Sequence, residues 1–554
     1  MEKRGFYERV KELTVKLVEC PSIMGTPGER KIAELIYEEF SRLEYFKTKK
    51  ENLRFVPVPD DHLGRKCVFA LIEGEKNPSK ETVVLLGHID TVRIEDFGKL
   101  KPFAFSPERL KEELSKLALR EDVLEDIKTG EWLFGRGSYD MKSGVAAHMA
   151  VIERLSRETD NLSGNVLFVG APDEEDMSSG ALAAVKELRK MQEQGYEFIS
   201  LINADYTSPR YPKDPHYYVY LGTVGKLLPS FFITGRETHV GQSFEGFDSN
   251  QLAAELTRLI DMNTGLCDEA EGEVPPPPIS LKVRDLKEKY DVQTPFISQA
   301  YYNFFTHKMS PSDVMDRMKE IALKAFENTI NRLNEEYKKY CQISSIPYEE
   351  LPWKPLVYSY EDFYRKVMDE AGPALEDRLE ELHDQLLADP DIDLREHSLR
   401  IVEEIWKWSR EAKDKVPCIV IYFSSAFSPR VYMKGERPEE VRLIEAVRES
   451  VLKISEETGT SIKLKKFYPY ISDMSFFAVS DDSESVEVLK KNMPGWGKKY
   501  TLDIEDIRAL NIPMVNIGPH GKDAHKITER VYMPYSFEAV PKIIYDTVKR
   551  LLKR

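Results

Sequence analysis

The feature that most constrains this chain is a set of short apolar runs that lie between helical stretches and open directly onto charged residues. Val68–Ile72, Thr82–Leu86, Asn165–Val169 and Ser200–Asn203 are nearly continuous in apolar character. Runs of this length, separated by helices, are strands buried on both faces of an α/β sheet. In such sheets functional groups gather at the carboxyl ends of the strands. The last three runs lead into His88 and Asp90, into Glu174 and Glu175, and into Asp205. The reading is a mixed central sheet flanked by helices. Helices are expected from Phe6 to Leu17, and from Thr26-Pro27-Gly28-Glu29 onward, where Thr26 and Glu29 suit a helix start.

The texture changes near Gly222. Leu227–Thr234, Ser280–Leu286, Phe296–Thr306 and Ile419–Phe423 read as strands, with helices at Asn250–Met262 and from Pro311 to about Tyr340. Strand–helix–strand–strand–helix–strand is the split βαβ pattern of an α+β ferredoxin-like domain. Residues 1–223 and 425–554 therefore read as two parts of one catalytic domain, and 224–424 as an inserted lid domain. That domain carries a helical insertion at about 349–415, where Leu375, Leu379, Leu382 and Leu386 recur at helical spacing. Their apolar face packs on the lid, on a partner subunit or over the cleft, and the sequence does not choose.

The 79 Lys plus Arg against 95 Asp plus Glu give a net charge of −16. An acidic chain without a basic block argues against nucleic acid or an anionic membrane as partner. No apolar run approaches the ~18–20 residues of a membrane span. The N-terminal residues carry charges of both signs and no apolar core, unlike a leader. Five scattered cysteines, never in a C-x-x-C pair, suit a reducing, cytoplasmic setting.

Five segments carry the chemistry: Gly87-His88-Ile89-Asp90, Tyr139-Asp140-Met141-Lys142, Asp173-Glu174-Glu175-Asp176, Asn203-Ala204-Asp205 and Gly518 through His525. Singly they are ambiguous. His88 with Asp90 reads equally as a structural pair, and Asp140 as a helix cap. Together they bring at least two imidazoles and four carboxylates to the strand ends of one sheet. Carboxylates gathered without a cation would repel, and some would be forced to protonate. Two divalent ions remove that cost. The mixed nitrogen and oxygen donors suit Zn²⁺, with Co²⁺ or Mn²⁺ as alternatives.

In this order the segments resemble the co-catalytic zinc metallopeptidases that include aminoacylase, succinyl-diaminopimelate desuccinylase and dipeptidase relatives. The segment Phe467-Tyr468-Pro469-Tyr470-Ile471-Ser472-Asp473 and the long chain are most similar to the arginine-utilisation branch. The resemblance implies that His88 and Asp205 hold one metal, Glu175 and His525 the other, and Asp140 bridges them. Asp90 would orient His88, and Glu174 would be the general base. It also implies a cis bond at Asp140–Met141. Ser143-Gly144 stands where the family often has Gly-Gly, a minor departure at a helix entry.

Gly235 through Ser243 resembles the family's lid motif, which makes His239 a group that binds substrate and stabilises the oxyanion. Without the resemblance it is a loop histidine. Arg430 and Asn303 are weaker candidates for a substrate carboxylate. The other seven histidines read as structural. The expected activity is dinuclear, metal-dependent hydrolysis of an amide or peptide bond in a small peptide or N-acyl amino acid. Arginine or amino-acid utilisation and a homodimer through the lid are implied settings. Two rival readings stay open: a catalytically inactive metal-binding regulator or scaffold, and a hydrolase of a non-peptide amide.

Overall fold

The computed structural model describes residues 5–424 and 426–553. The first four residues, part of the stretch read as unlike a leader, and position 425, at the expected domain boundary, lie outside them. The chain divides into two compact units. One comprises Met1–Thr223, Val431–Val479 and Ile504–Arg554, and the other Val224–Arg430 and Ser480–Asp503. The expected return at 425–554 is thus interrupted, because Ser480–Asp503 rejoins the second unit. Its local pattern of helix and turns does not reveal this. Long-range hydrogen bonds decide it, such as Phe423 N to Asn492 O at 2.8 Å and Glu361 N to Asn492 Oδ1 at 3.0 Å.

The first unit is built on an eight-stranded sheet. From edge to edge its strands are Leu53–Pro57, Lys66–Glu73, Asn165–Ala171, Glu81–His88, Glu197–Asn203, Met514–Asn516, Tyr217–Tyr220 and Ile462–Lys465. The four strands from Asn165–Ala171 to Met514–Asn516 run parallel, so their carboxyl ends share one edge. Val83, Val84, Leu85 and Leu86 are all fully buried, which requires cover on both faces. Val83 and Leu85 join a core with Leu155, Val447 and Ile544 from three helices. On the opposite face Ser179–Glu193 packs across the first three strands. A separate three-stranded sheet pairs Gly521–Lys522, Arg530–Tyr532 and Trp132–Phe134.

The second unit contains an antiparallel sheet whose strands run Ile419–Phe423, Pro229–Thr234, Ile297–Thr306, Ile279–Asp285. That places the fourth, first, third and second strands of the pattern side by side, the ferredoxin-like order. Gly225–Leu227 adds to Ile297–Thr306, and Val357–Ser359 lies parallel to Ile419–Phe423. The latter is a strand inside the stretch expected to be mostly helical. Successive residues face opposite sides: Phe231 meets Tyr302 at 5.7 Å, and Phe232 meets Trp406 at 5.8 Å. Helices Tyr360–Ala371, Pro373–Ala388 and Leu394–Trp408 cover the Phe232 side, with Leu375 and Leu379 clustered around Val420 and Tyr422. The apolar face of the insertion therefore packs on its own sheet.

Among the described residues no helix is long and apolar enough to cross a membrane.

Candidate active site

Three of the four parallel strands end on candidate ligands. His88 is the last residue of its strand and lies opposite Ala171. Asp90, fully buried, accepts the backbone amides of Glu174 and Glu175, each at 3.1 Å. Its distance to His88 Nδ1 is 3.7 Å, longer than a hydrogen bond. Asp90 thus fixes the loop that carries the two glutamates more directly than it fixes the imidazole. Asp205 follows the third strand, and Asn516 on the neighbouring strand braces it twice. Asp205 N donates to Asn516 Oδ1 at 2.9 Å, and Asn516 Nδ2 donates to Asp205 O at 2.8 Å. The backbone at Gly518 passes so close that a Cβ there would lie 1.6 Å from Asp205 O, so only glycine fits.

The small sheet carries the other two. Asp140 lies in the loop after Trp132–Phe134, with a cis Asp140–Met141 bond, and His525 lies between Gly521–Lys522 and Arg530–Tyr532. His525 has φ of 63°, a left-handed conformation unusual for a residue with a Cβ. Buried charges hold both loops. Arg136 pairs with Glu529 at 2.6 Å and Asp96 at 2.9 Å, each of Arg136 and Glu529 being 1% exposed. Arg530, fully buried, reaches Asp523 at 2.6 Å, Asp126 at 2.7 Å and Asp122 at 3.1 Å.

At the meeting of the two sheets Asp140 presents one oxygen to each histidine: Oδ1 to His88 Nε2 and Oδ2 to His525 Nε2, both at 3.0 Å. His525 Nε2 is also 3.3 Å from Glu175 Oε2. Donor atoms of His88, Asp140 and Glu175 lie within 4.8 Å of one another. Burial alone would raise the pKa of Asp140, but its hydrogen bonds to His525 and His88 hold it below the usual carboxylate range. Hydrogen bonds to Asp140 and Glu175 raise His525 to about 10. Burial, reinforced by the charge of Asp140, pushes Glu175 up to about 7 and Asp205 up to about 6. Burial also drives Glu174 well above its ordinary value, with Glu175, Asp473 and Asp205 adding to the effect against His88.

Metal ions fit these residues. Imidazole nitrogens and carboxylate oxygens converge, and His88 Nδ1 and Glu175 Oε1 are buried with no hydrogen-bond partner among the described residues. His239 belongs to the second unit, where it is exposed and its Nδ1 accepts the amide of Gly241 at 3.1 Å. Arg430 pairs with Asp481 at 2.9 Å, so its guanidinium is already committed. His520 packs edge-on against Tyr217 at 4.8 Å, and His148 is fully buried. Sequence reasoning missed Glu529, Arg136 and Asn516, whose roles rest on partners more than 300 residues away. It also missed Asp473, a buried acid that lies in the field of His88, Asp90 and Asp205 and is raised to about 8, chiefly by burial.

Residues 84–550 match the model of peptidase family M20/M25/M40. The chain is 37% identical to protein RocB of Bacillus subtilis, over 99% of this chain and 95% of that protein. It is 32% identical to YqjN of the same organism, over 98% and 96%. Among solved structures it is similar to the Bacillus subtilis YXEP protein, described as a dinuclear metal-binding peptidase of the M20 family. The TM-score is 0.51 and the identity 12%, with 99% of this chain and 98% of that chain covered. At that identity the likeness is one of fold.

Proposed function

For a chain that belongs to peptidase family M20/M25/M40, and so is a metallohydrolase acting on amide or peptide bonds, we propose a dinuclear centre that cleaves an amide bond in a small amino-acid-derived substrate. The observation that carries this reading is the division of Asp140 between two histidines, one oxygen to each at 3.0 Å. A carboxylate placed this way suits a bridge between two ions. His88 and Asp205 would hold one and Glu175 and His525 the other, with Zn²⁺ favoured by the donor set and Co²⁺ or Mn²⁺ as alternatives. Bound there, the ions supply Lewis acidity and lower the pKa of water. Glu174, kept basic in its reach for protons by burial and neighbouring acids, takes a proton from the attacking water and returns it to the leaving amine. Asp90 holds the Glu174 and Glu175 amides in place. The resemblance gives His239 the task of holding the substrate oxyanion.

Small peptides and N-acyl amino acids are the substrate class, and the resemblance of Phe467–Asp473 to the arginine-utilisation branch supports a place in amino-acid utilisation. The dinuclear title of the YXEP structure accords with two ions. The five cysteines are free thiols, which suits a reducing cytoplasmic setting. A homodimer through the second unit is supported by its edge strand, where Leu281 is 55% and Val283 45% exposed. A two-fold pairing of that edge would cover both copies at once. A regulator without catalysis would not need a basic Glu174 beside a full ligand set. Protein loaded with defined Zn²⁺, Co²⁺ or Mn²⁺ should hydrolyse members of a panel of dipeptides and N-acyl amino acids and stop on chelation. Metal-loaded protein inert on every member would refute the proposal.

A further inference from the structure

The turn that carries His239 fixes the chemistry of its ring as well as its place. The Gly241 amide reaches Nδ1 at 3.1 Å. An amide can only donate, so Nδ1 accepts and the proton of the neutral imidazole sits on Nε2. A ring that donates to an oxyanion through Nε2 needs this tautomer. The turn has little of its own to keep it closed. Val240–Gln242 is a single 3-10 turn without a buried residue, and Val240 is 59% exposed. Backbone pairing secures its base, where Arg236 N donates to Phe247 O at 2.8 Å and Phe247 N to Arg236 O at 2.9 Å. Backbone pairing also secures the side that leads in, where Thr294 N donates to Thr238 O and Val240 N to Val292 O, both at 2.9 Å.

On the side that leads out, a side chain takes over. The ring of Phe244 meets two tyrosines of the helix Pro311–Ser344, Tyr337 at 4.9 Å and Tyr340 at 5.3 Å between centroids, with planes 36° and 37° apart. Three residues apart, these tyrosines share one helix face. Tyr348 backs Tyr337 at 5.7 Å. The base of the loop has a separate anchor, because Phe247, fully buried, packs on Phe326 of the same helix at 5.3 Å and on Trp353 at 5.8 Å. The two phenylalanines therefore differ in kind. Phe247 belongs to the packed interior, whereas Phe244 is half-buried beside a tyrosine that is 48% exposed. Losing Phe247 would disturb the core of its unit, and losing Phe244 would free the turn alone.

We infer that Phe244, seated on Tyr337 and Tyr340, is a positioning residue for His239. It keeps the turn closed, so that the Gly241 amide occupies Nδ1 and Nε2 carries the donor proton. The inference rests on the proposed oxyanion role of His239 for its effect on turnover, but not for its effect on the turn. Hydrogen exchange and steady-state kinetics on the full, zinc-loaded protein read the two effects separately. In Phe244→Ala the amides of Gly241 and Gln242 should exchange about tenfold faster, and those of Arg236 and Phe247 should keep their native rates. Tyr340→Ala should repeat that pattern at about threefold. The kcat of Phe244→Ala on the active panel substrate should fall about 10–100-fold, with KM within about twofold and metal content unchanged. Phe244→Tyr, which keeps the ring, should behave as native protein. His239→Ala should itself lose about 10²–10³-fold in kcat, and adding Phe244→Ala to it should cost nothing more, whereas a general loss of structure would add to it. Native exchange at Gly241 and Gln242 in Phe244→Ala, equal acceleration at all four amides, or a further loss in the double variant would overturn the inference. His239→Ala with native turnover would refute the oxyanion role, and the exchange rates would still decide whether Phe244 holds the turn.

Discussion

The large and small sheets of the first unit both deliver candidate ligands, but they do so by different physics. The eight-stranded sheet holds His88, Glu175 and Asp205 at the ends of adjacent parallel strands, whose fully buried apolar residues fix the register. The small sheet has strands of only two or three residues and positions Asp140 and His525 through Arg136, Glu529, Arg530 and their acids. One carrier is a hydrophobic core that happens to end in a site. The other is a buried ionic scaffold whose pairs cost several kcal/mol to desolvate and are strongly destabilising to break singly.

Substitutions can separate the two carriers. The largest effect is expected on the large-sheet side from Gly518→Val, because even a Cβ would fall 1.6 Å from Asp205 O. Melting and metal analysis should show a chain that fails to fold or folds without full metal. On the small-sheet side Glu529→Ala leaves the buried Arg136 without its nearest carboxylate. Thermal or denaturant unfolding should register a loss of about 3–5 kcal/mol, and metal affinity should fall about 10–100-fold as the Asp140 loop loosens. Full metal affinity in that variant would mean that the ionic scaffold holds the fold and not the site. Asn516→Ala removes both braces on Asp205 and should cost about 1–3 kcal/mol, with weaker metal binding and no change at the small sheet.

The smallest effect at neutral pH concerns His148, on the helix Ser143–Leu155 that leads from the Asp140 loop onto the large sheet. Burial lowers its pKa from the ordinary 6.5 to about 3. An unfolded histidine takes its proton near 6.5 and the buried one only near 3, so the unfolded chain gains protons first. Stability that is complete above pH 6.5 is therefore lost as pH falls toward 3, by about 1.4 kcal/mol per unit. Burial lowers His307, His397 and His520 to about 4 as well, so unfolding measured from pH 7 to 4 should show a shallower acid slope in His148→Phe than in the native protein, by about that amount per unit, and not a flat one. A variant with the native slope would assign the acid sensitivity elsewhere.

What the sequence discloses follows the same division. Apolar runs such as Thr82–Leu86 mark strands that the structure extends by only a few residues, here to Glu81–His88, and Ile419–Phe423 has the same bounds in both. Periodicity reads a buried sheet well because each residue reports its own burial. The small sheet escapes this reading, since strands as short as Gly521–Lys522 have no period and depend on Arg530 meeting Asp122 and Asp126 about 400 residues earlier. The return of Ser480–Asp503 to the second unit escapes it for the same reason. Asp473 reads as one acid among many until burial singles it out. In the insertion, the spacing of Leu375 and Leu379 shows an apolar face but not its partner, the sheet around Val420 and Tyr422.

The central claim is a dinuclear centre in which Glu174 moves the proton without being needed to hold metal. Its most direct test is metal content and turnover measured together on native protein and Glu174→Gln. The account predicts two ions per chain in both, with turnover of the active panel substrate down about 10²–10⁴-fold in the variant. Native protein that saturates with one ion, or a variant that keeps its turnover within tenfold, would contradict it.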